Sequence, residues 1–165
     1  MSPSVFQRAT DGPDEESGLI GKLLFPCPPS SYTVDSFPRE LIWVPKTMSP
    51  HTSGPEDCIP CLFLPYPSAR FLIYFLHGNA EDLGRCYQFC SVLRDQFQVH
   101  VFVVEYPGYG VCPGSCSEPT MLDNAFAGFD FVRSVLKWPL DSIKIFGRSI
   151  GTGPALAIAE QYQVS

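Results

Sequence analysis

The plainest structural signal in the chain is Ile143-Lys144-Ile145-Phe146-Gly147-Arg148-Ser149-Ile150-Gly151-Thr152-Gly153-Pro154-Ala155-Leu156-Ala157-Ile158. Residues 143–146 read as a strand, and 151–162, rich in small residues, as a helix. Between them lies G-x-S-x-G. At a strand-to-helix junction this pattern is a nucleophile elbow, a turn so tight that Gly147 and Gly151 must relieve contacts with the neighbours of Ser149. The turn presents the serine at the top of a sheet, next to the positive end of the following helix. Ser149 is the candidate nucleophile, and the N–H of Ile150 a candidate donor to an oxyanion.

Working outward, residues 71–76 (FLIYFL) and 99–104 are apolar on both faces, as strands buried between helix layers are. Leu83, Tyr87, Cys90, Leu93 and Phe97 recur at three- and four-residue steps, which predicts an amphipathic helix. Leu122, Ala125, Phe126, Phe129 and Leu136 trace a second helix, stopped by Pro139. Residues 41–44 and 58–64 are further short strands. The resulting order, β-β-β-α-β-α-β-α, predicts an α/β fold with a mostly parallel sheet and right-handed crossovers. Twelve of the 17 prolines lie in residues 1–70. Residues 1–39 accordingly read as a disordered leader followed by a Pro-rich arm, and 40–165 as the folded domain.

His77-Gly78-Asn79-Ala80 ends the strand at 71–76 and opens the first helix. Gly78 lets the loop backbone approach the elbow, and Asn79 or Ala80 offers a second oxyanion amide. His77 precedes the serine, whereas the general base of such a site follows it, so His77 is expected to brace the loop. His51 and His100 also lie upstream, and His100 falls within a strand. No general base is therefore in view, and Ser149 alone keeps an ordinary, weakly nucleophilic hydroxyl.

Other patterns carry less. Cys58-x-x-Cys61 with Cys112 and Cys116 has metal-like spacing, but the first pair sits in a strand whose alternation points its side chains apart, and no ligand-spaced histidine accompanies it. No metal and no cofactor are expected. Gly108-Tyr109-Gly110 begins a dinucleotide fingerprint whose third glycine position is Pro113. Eleven basic against 17 acidic side chains exclude a nucleic-acid footprint. The seven cysteines, odd in number and unframed, suit reduced thiols and a cytoplasmic setting. The longest apolar run has six residues, far below the roughly 20 that span a bilayer, and no secretory signal opens the chain.

Leu24-Phe25-Pro26-Cys27-Pro28-Pro29, His77-Gly78-Asn79-Ala80-Glu81-Asp82-Leu83-Gly84, Glu105-Tyr106-Pro107-Gly108-Tyr109-Gly110 and Gly147-Arg148-Ser149-Ile150-Gly151-Thr152-Gly153-Pro154 together resemble the first half of an α/β-hydrolase. They are most similar to the α/β-hydrolase domain-containing protein 17 group of membrane-associated serine hydrolases that depalmitoylate proteins, and also to serine-aminopeptidase-like hydrolases. The resemblance implies an α/β-hydrolase fold, present as its N-terminal half and ending after the helix that follows the elbow. It implies a serine hydrolase of esters or thioesters, with an acylated protein or small ester as substrate. The group's lipidated N-terminal cysteine cluster has no counterpart before Cys27, so peripheral membrane association lacks that anchor. The triad Asp and His would follow later strands, beyond Ser165. The alternatives are an inert partial hydrolase or binding scaffold, and a peptidase. Reading the transcript past codon 165 for further strands bearing an Asp and a His separates the first from an enzyme.

Overall fold

The computed structural model describes residues 24–47 and 54–164. The leader at 1–20 and His51 lie outside the described residues. Five strands, β1 (Leu41–Pro45), β2 (Cys58–Leu64), β3 (Leu72–Leu76), β4 (His100–Val104) and β5 (Ile143–Gly147), form one sheet in the order β1-β2-β4-β3-β5. β1 and β2 pair antiparallel, as do β2 and β4, while β3 runs parallel to both β4 and β5. Helices α1 (Leu83–Phe97), α2 (Glu118–Ser134) and α3 (Thr152–Tyr162) connect or follow the parallel strands. This is a mixed, mostly parallel α/β sheet in the expected order.

Strand alternation divides the core in two. Tyr74, Phe102 and Val104 face α2 and α3, where they pack with Met121, Ala125, Phe129 and Ile158. Phe75, Val101 and Val103 face the other way, against Leu83, Cys86, Cys90 and Leu93 of α1. Because each central strand is covered on both faces, its sequence reads as a continuous apolar run. Cys61 belongs to the first of these clusters.

The helix ends follow local chemistry. Asp82 caps α1, its carboxylate accepting from the Arg85 N–H at 2.9 Å. Gln98, in the left-handed conformation, ends the same helix and turns the chain into β4. Phe97, expected on the buried stripe, sits at this last turn and is 67% exposed. Ser117 and Thr120 form a capping box at the start of α2, with Pro119 in the first turn. α2 ends at Ser134, before Pro139, because the Phe131 carbonyl accepts from both the Val135 and Leu136 N–H groups and Lys137 then takes positive φ.

Residues 24–32 lie along the sheet's carboxyl end. Tyr32 is buried, Phe25 packs on the α2/α3 side, and Ser31 donates both its N–H and its hydroxyl to Asp82. No helix among the described residues is long and apolar enough to cross a membrane.

Candidate active site

β3 and β5 run side by side with Leu76 opposite Gly147, so the segments leaving their carboxyl ends emerge together. One is the loop His77–Ala80; the other is the turn holding Ser149. Parallel α/β sheets form their sites at this end. The Arg148 N–H donates to the Leu76 carbonyl at 3.0 Å, extending the pairing to the residue before the serine.

Ser149 is exposed and has φ +54°, a left-handed conformation that side-chain-bearing residues rarely adopt. Its neighbours make room for that strain. A Cβ on Gly147 would lie 2.5 Å from the Gly151 carbonyl oxygen and 2.8 Å from Ala155 Cβ. A Cβ on Gly151 would collide with the Leu76 and His77 carbonyls, which end β3. The turn then runs into α3 through hydrogen bonds from Gly151 N–H to Arg148 O and from Thr152 N–H to Ser149 O. Those bonds begin one residue after Ile150, whose N–H belongs to the donors that a helical start leaves over.

The facing loop is close. The position a Gly78 Cβ would take is 3.6 Å from Ser149 Cβ and 3.7 Å from the Arg148 carbonyl. The Gly78 N–H donates to Glu81 Oε1 at 3.1 Å, so this amide is already engaged, and the next two, of Asn79 and Ala80, follow at the loop's tip. The Asn79 side chain is held at both ends, donating to the Leu24 carbonyl at 2.7 Å and accepting from the Tyr109 hydroxyl at 2.6 Å. The structure therefore brings Gly147, Ser149, Ile150, Gly151, Gly78, Asn79 and Ala80 to one end of the sheet.

The ring nitrogens of His77 are engaged by groups other than the serine. The residue is fully buried, with Nε2 2.9 Å from Glu105 Oε1 and Nδ1 3.0 Å from the Gly78 carbonyl. The Gly78 carbonyl can only accept, so Nδ1 carries the proton donated to it, and Nε2 faces a Glu105 carboxyl oxygen. Burial alone would lower the His77 pKa, but the Glu105 hydrogen bond and charge, with the Gly78 carbonyl, outweigh it and raise the pKa above its ordinary value. Glu105 also accepts from the Tyr32 hydroxyl, the Leu83 N–H and the Tyr106 N–H. His100 opens β4 at the opposite end of the sheet, where its Nδ1 accepts from the Tyr66 N–H at 3.1 Å. Neither described histidine is positioned to take a proton from Ser149.

Glu105 opens one of the quoted motifs, and its pairing with His77 has a signal in the sequence. A carboxylate ends the apolar run of β4, and a histidine ends that of β3. The parallel register sets Phe75 opposite Val103, and two residues on this brings His77 level with Glu105. Gly108 and Gly110 both have positive φ, and a Cβ on Gly110 would lie 2.5 Å from Glu105 Oε2. Among the described residues no cluster of three or more His, Cys, Asp or Glu side chains could hold a metal.

An apolar groove of about 350 Å³ runs beside Ile150, lined by Leu24, Phe25, Met121, Leu122 and Pro154 among others.

No family model matches the sequence. The chain is 29% identical over 164 residues to the Caenorhabditis elegans α/β-hydrolase domain-containing protein aho-3, covering 90% of this chain and 49% of that protein. It is 34% identical over 109 residues to human α/β-hydrolase domain-containing protein 17C, covering 66% of this chain and 33% of that one. The chain thus spans between a third and a half of these relatives' length. Among solved structures, a Coxiella burnetii α/β serine hydrolase homologue superposes with a TM-score of 0.59 at 14% identity, covering 81% of this chain and 62% of that one. The Pyrobaculum calidifontis esterase gives 0.54 at 17% identity, covering 92% and 47%. At these identities the structural matches establish the fold.

Proposed function

Since the chain has the α/β-hydrolase fold and belongs to that superfamily, we propose that it carries the nucleophile half of a serine hydrolase acting on ester or thioester bonds. The carrying observation is the exposed Ser149, held at φ +54° with Gly78 against it. In this reading the Ser149 hydroxyl attacks the carbonyl carbon. The Ile150 N–H and the Asn79 or Ala80 N–H hold the oxygen that gains charge, and the acyl group passes to Ser149 as the alcohol or thiol leaves. Losing one such donor costs about 3–4 kcal/mol of transition-state stabilisation. The groove beside Ile150 favours an apolar acyl chain, hence a palmitoyl-type thioester over a peptide.

Proton transfer from Ser149 needs an acid–base pair that the described residues do not place there. The 165-residue chain is expected to stay unlabelled by a fluorophosphonate probe. A longer product of the same transcript, carrying further strands with an Asp and a His, is expected to label. That labelling disappears in Ser149→Ala, and the product cleaves palmitoyl thioester faster than peptide amide. A longer product that is not labelled sinks the hydrolase reading, and a preference for amides favours the peptidase. Strong labelling of the 165-residue chain, lost in Ser149→Ala, reveals a base within it.

A further inference from the structure

Arg148 and Glu81 are absorbed neither by the core nor by the acyl-transfer roles above. Arg148 precedes the serine, and its Nη2 forms an ion pair with Glu81 Oε2. Its guanidinium carbon lies 4.8 Å from the ring centre of Phe89 and 5.5 Å from that of Phe75, a cation–π seat that restricts where the head group can go. The other oxygen of the same carboxylate, Oε1, accepts the Gly78 N–H at 3.1 Å. A Cβ at Gly78 would stand 2.7 Å from Glu81 Oε1, so a side chain there would make the carboxylate shift. One carboxylate therefore ties the elbow to the loop that faces it, across 67 residues of sequence.

We infer that Glu81 and Arg148 are a positioning pair for the candidate oxyanion hole. Glu81 fixes the Gly78 peptide, and through it the direction of the Asn79 and Ala80 amides. Arg148 holds Glu81 in place and cancels its charge. The second task follows from the chemistry: an uncompensated carboxylate beside the amides would repel the oxyanion they are meant to hold. The functional meaning of the pair rests on the serine-hydrolase reading, whereas its existence as a coupling does not.

Amide hydrogen exchange on the 165-residue chain tests the coupling directly. Glu81→Ala is expected to speed exchange at the Gly78 amide, which loses its acceptor, by roughly ten-fold or more, with the amides of α2 unchanged. Arg148→Met speeds the same amide, Arg148→Lys less so, and the double variant Glu81→Ala/Arg148→Met behaves like Glu81→Ala alone. An Arg148→Met variant whose Gly78 amide exchanges as in the wild type overturns the pair, as do fully additive effects or a Gly78 amide unprotected from the start.

In the longer product, Arg148→Met is expected to lower kcat by about 10- to 100-fold with KM little changed. Adding Glu81→Gln should recover part of that loss, because it removes the stranded charge. A merely structural role predicts no such recovery. If the longer product fails to label at Ser149, the hydrolase reading falls while the exchange data still decide the pair.

Discussion

Two glycines that stand two residues apart, Gly151 and Gly153, should respond to alanine in opposite directions. A methyl group on Gly151 would stand 2.7 Å from the His77 carbonyl oxygen and closer still to that of Leu76. Neither oxygen can simply retreat. Leu76 O accepts the Arg148 N–H, and His77 O accepts the Tyr106 hydroxyl, each at 3.0 Å. Overpacking a rigid site costs about 1–3 kcal/mol, and loosening one of those hydrogen bonds about 0.5–1.5 kcal/mol more. Gly151→Ala is therefore expected to lose about 2–4 kcal/mol, a fall in Tm of roughly 5–15 °C for a chain of this size. A methyl on Gly153 meets nothing within 4 Å, and its φ is not in the positive range. In the first turn of α3 it should stabilise by about 0.5–1 kcal/mol, through the reduced freedom of the unfolded chain and better helix propensity. Urea unfolding of both variants beside wild type measures this. A Gly151→Ala protein within 0.5 kcal/mol of wild type (an order-of-magnitude threshold set by ordinary surface substitutions) would refute the close approach of the elbow to β3. A destabilised Gly153→Ala would refute the reasoning on the helix start.

Other parts of the fold can be tested in the same way. Phe129→Ala empties a fully buried site that Tyr74 meets edge-on at 5.3 Å, and should cost about 3–5 kcal/mol in urea unfolding. Asp82→Ala removes the α1 cap and the anchor of Ser31, costing about 1–2 kcal/mol or slightly more at pH 7. Burial works to raise the Asp82 pKa, but the Ser31 and Arg85 hydrogen bonds prevail and lower it, so its contribution is present above the ordinary carboxylate range and lost as pH falls through the folded value. The variant's acid unfolding profile should be flatter there. His77, with its folded pKa raised, contributes stability that is complete below its unfolded value of about 6.5 and fades as pH rises through the folded one. Thermal melts of His77→Gln between pH 5 and pH 9 (roughly the span around that reference value) should lack this decline, and a decline equal to wild type would remove His77 as its source.

What the sequence disclosed was whatever depends on local pattern. The continuous apolar runs of β3 and β4 announced burial on both faces, and the G-x-S-x-G turn located the strained serine to the residue. The helix stripes were visible too, but not their ends. α2 stops short of Pro139 because the Phe131 carbonyl takes two late donors, a competition among backbone groups that side-chain identity does not encode. Tyr32 offered no cue at all. It lies in a proline-rich arm, and both the cluster it packs into and the partner of its hydroxyl, Glu105, 73 residues away, are distant in sequence. The Arg148–Glu81 tie was equally hidden, since each residue alone reads as an ordinary surface charge.

The division of labour at the site follows from these contacts. Holding Ser149 at positive φ requires Gly147 and Gly151, the ends of β3 and β5, and the first turn of α3, all of which the described residues supply. Aiming the loop amides requires Gly78, Glu81 and the Asn79 side chain, clamped between Leu24 and Tyr109. The buried His77–Glu105 pair stiffens the base of that loop, so the nearer of the two described histidines serves the scaffold, with both ring nitrogens engaged. On the serine-hydrolase reading, the strain at Ser149 and the placement of the loop amides thus come from β3, β5 and α3, independently of whatever group takes the proton. Oxyanion stabilisation acts without a base but yields only residual rates. What this arrangement still needs on that reading is an acid–base pair, an imidazole within hydrogen-bonding distance of the Ser149 hydroxyl and the carboxylate that orients it.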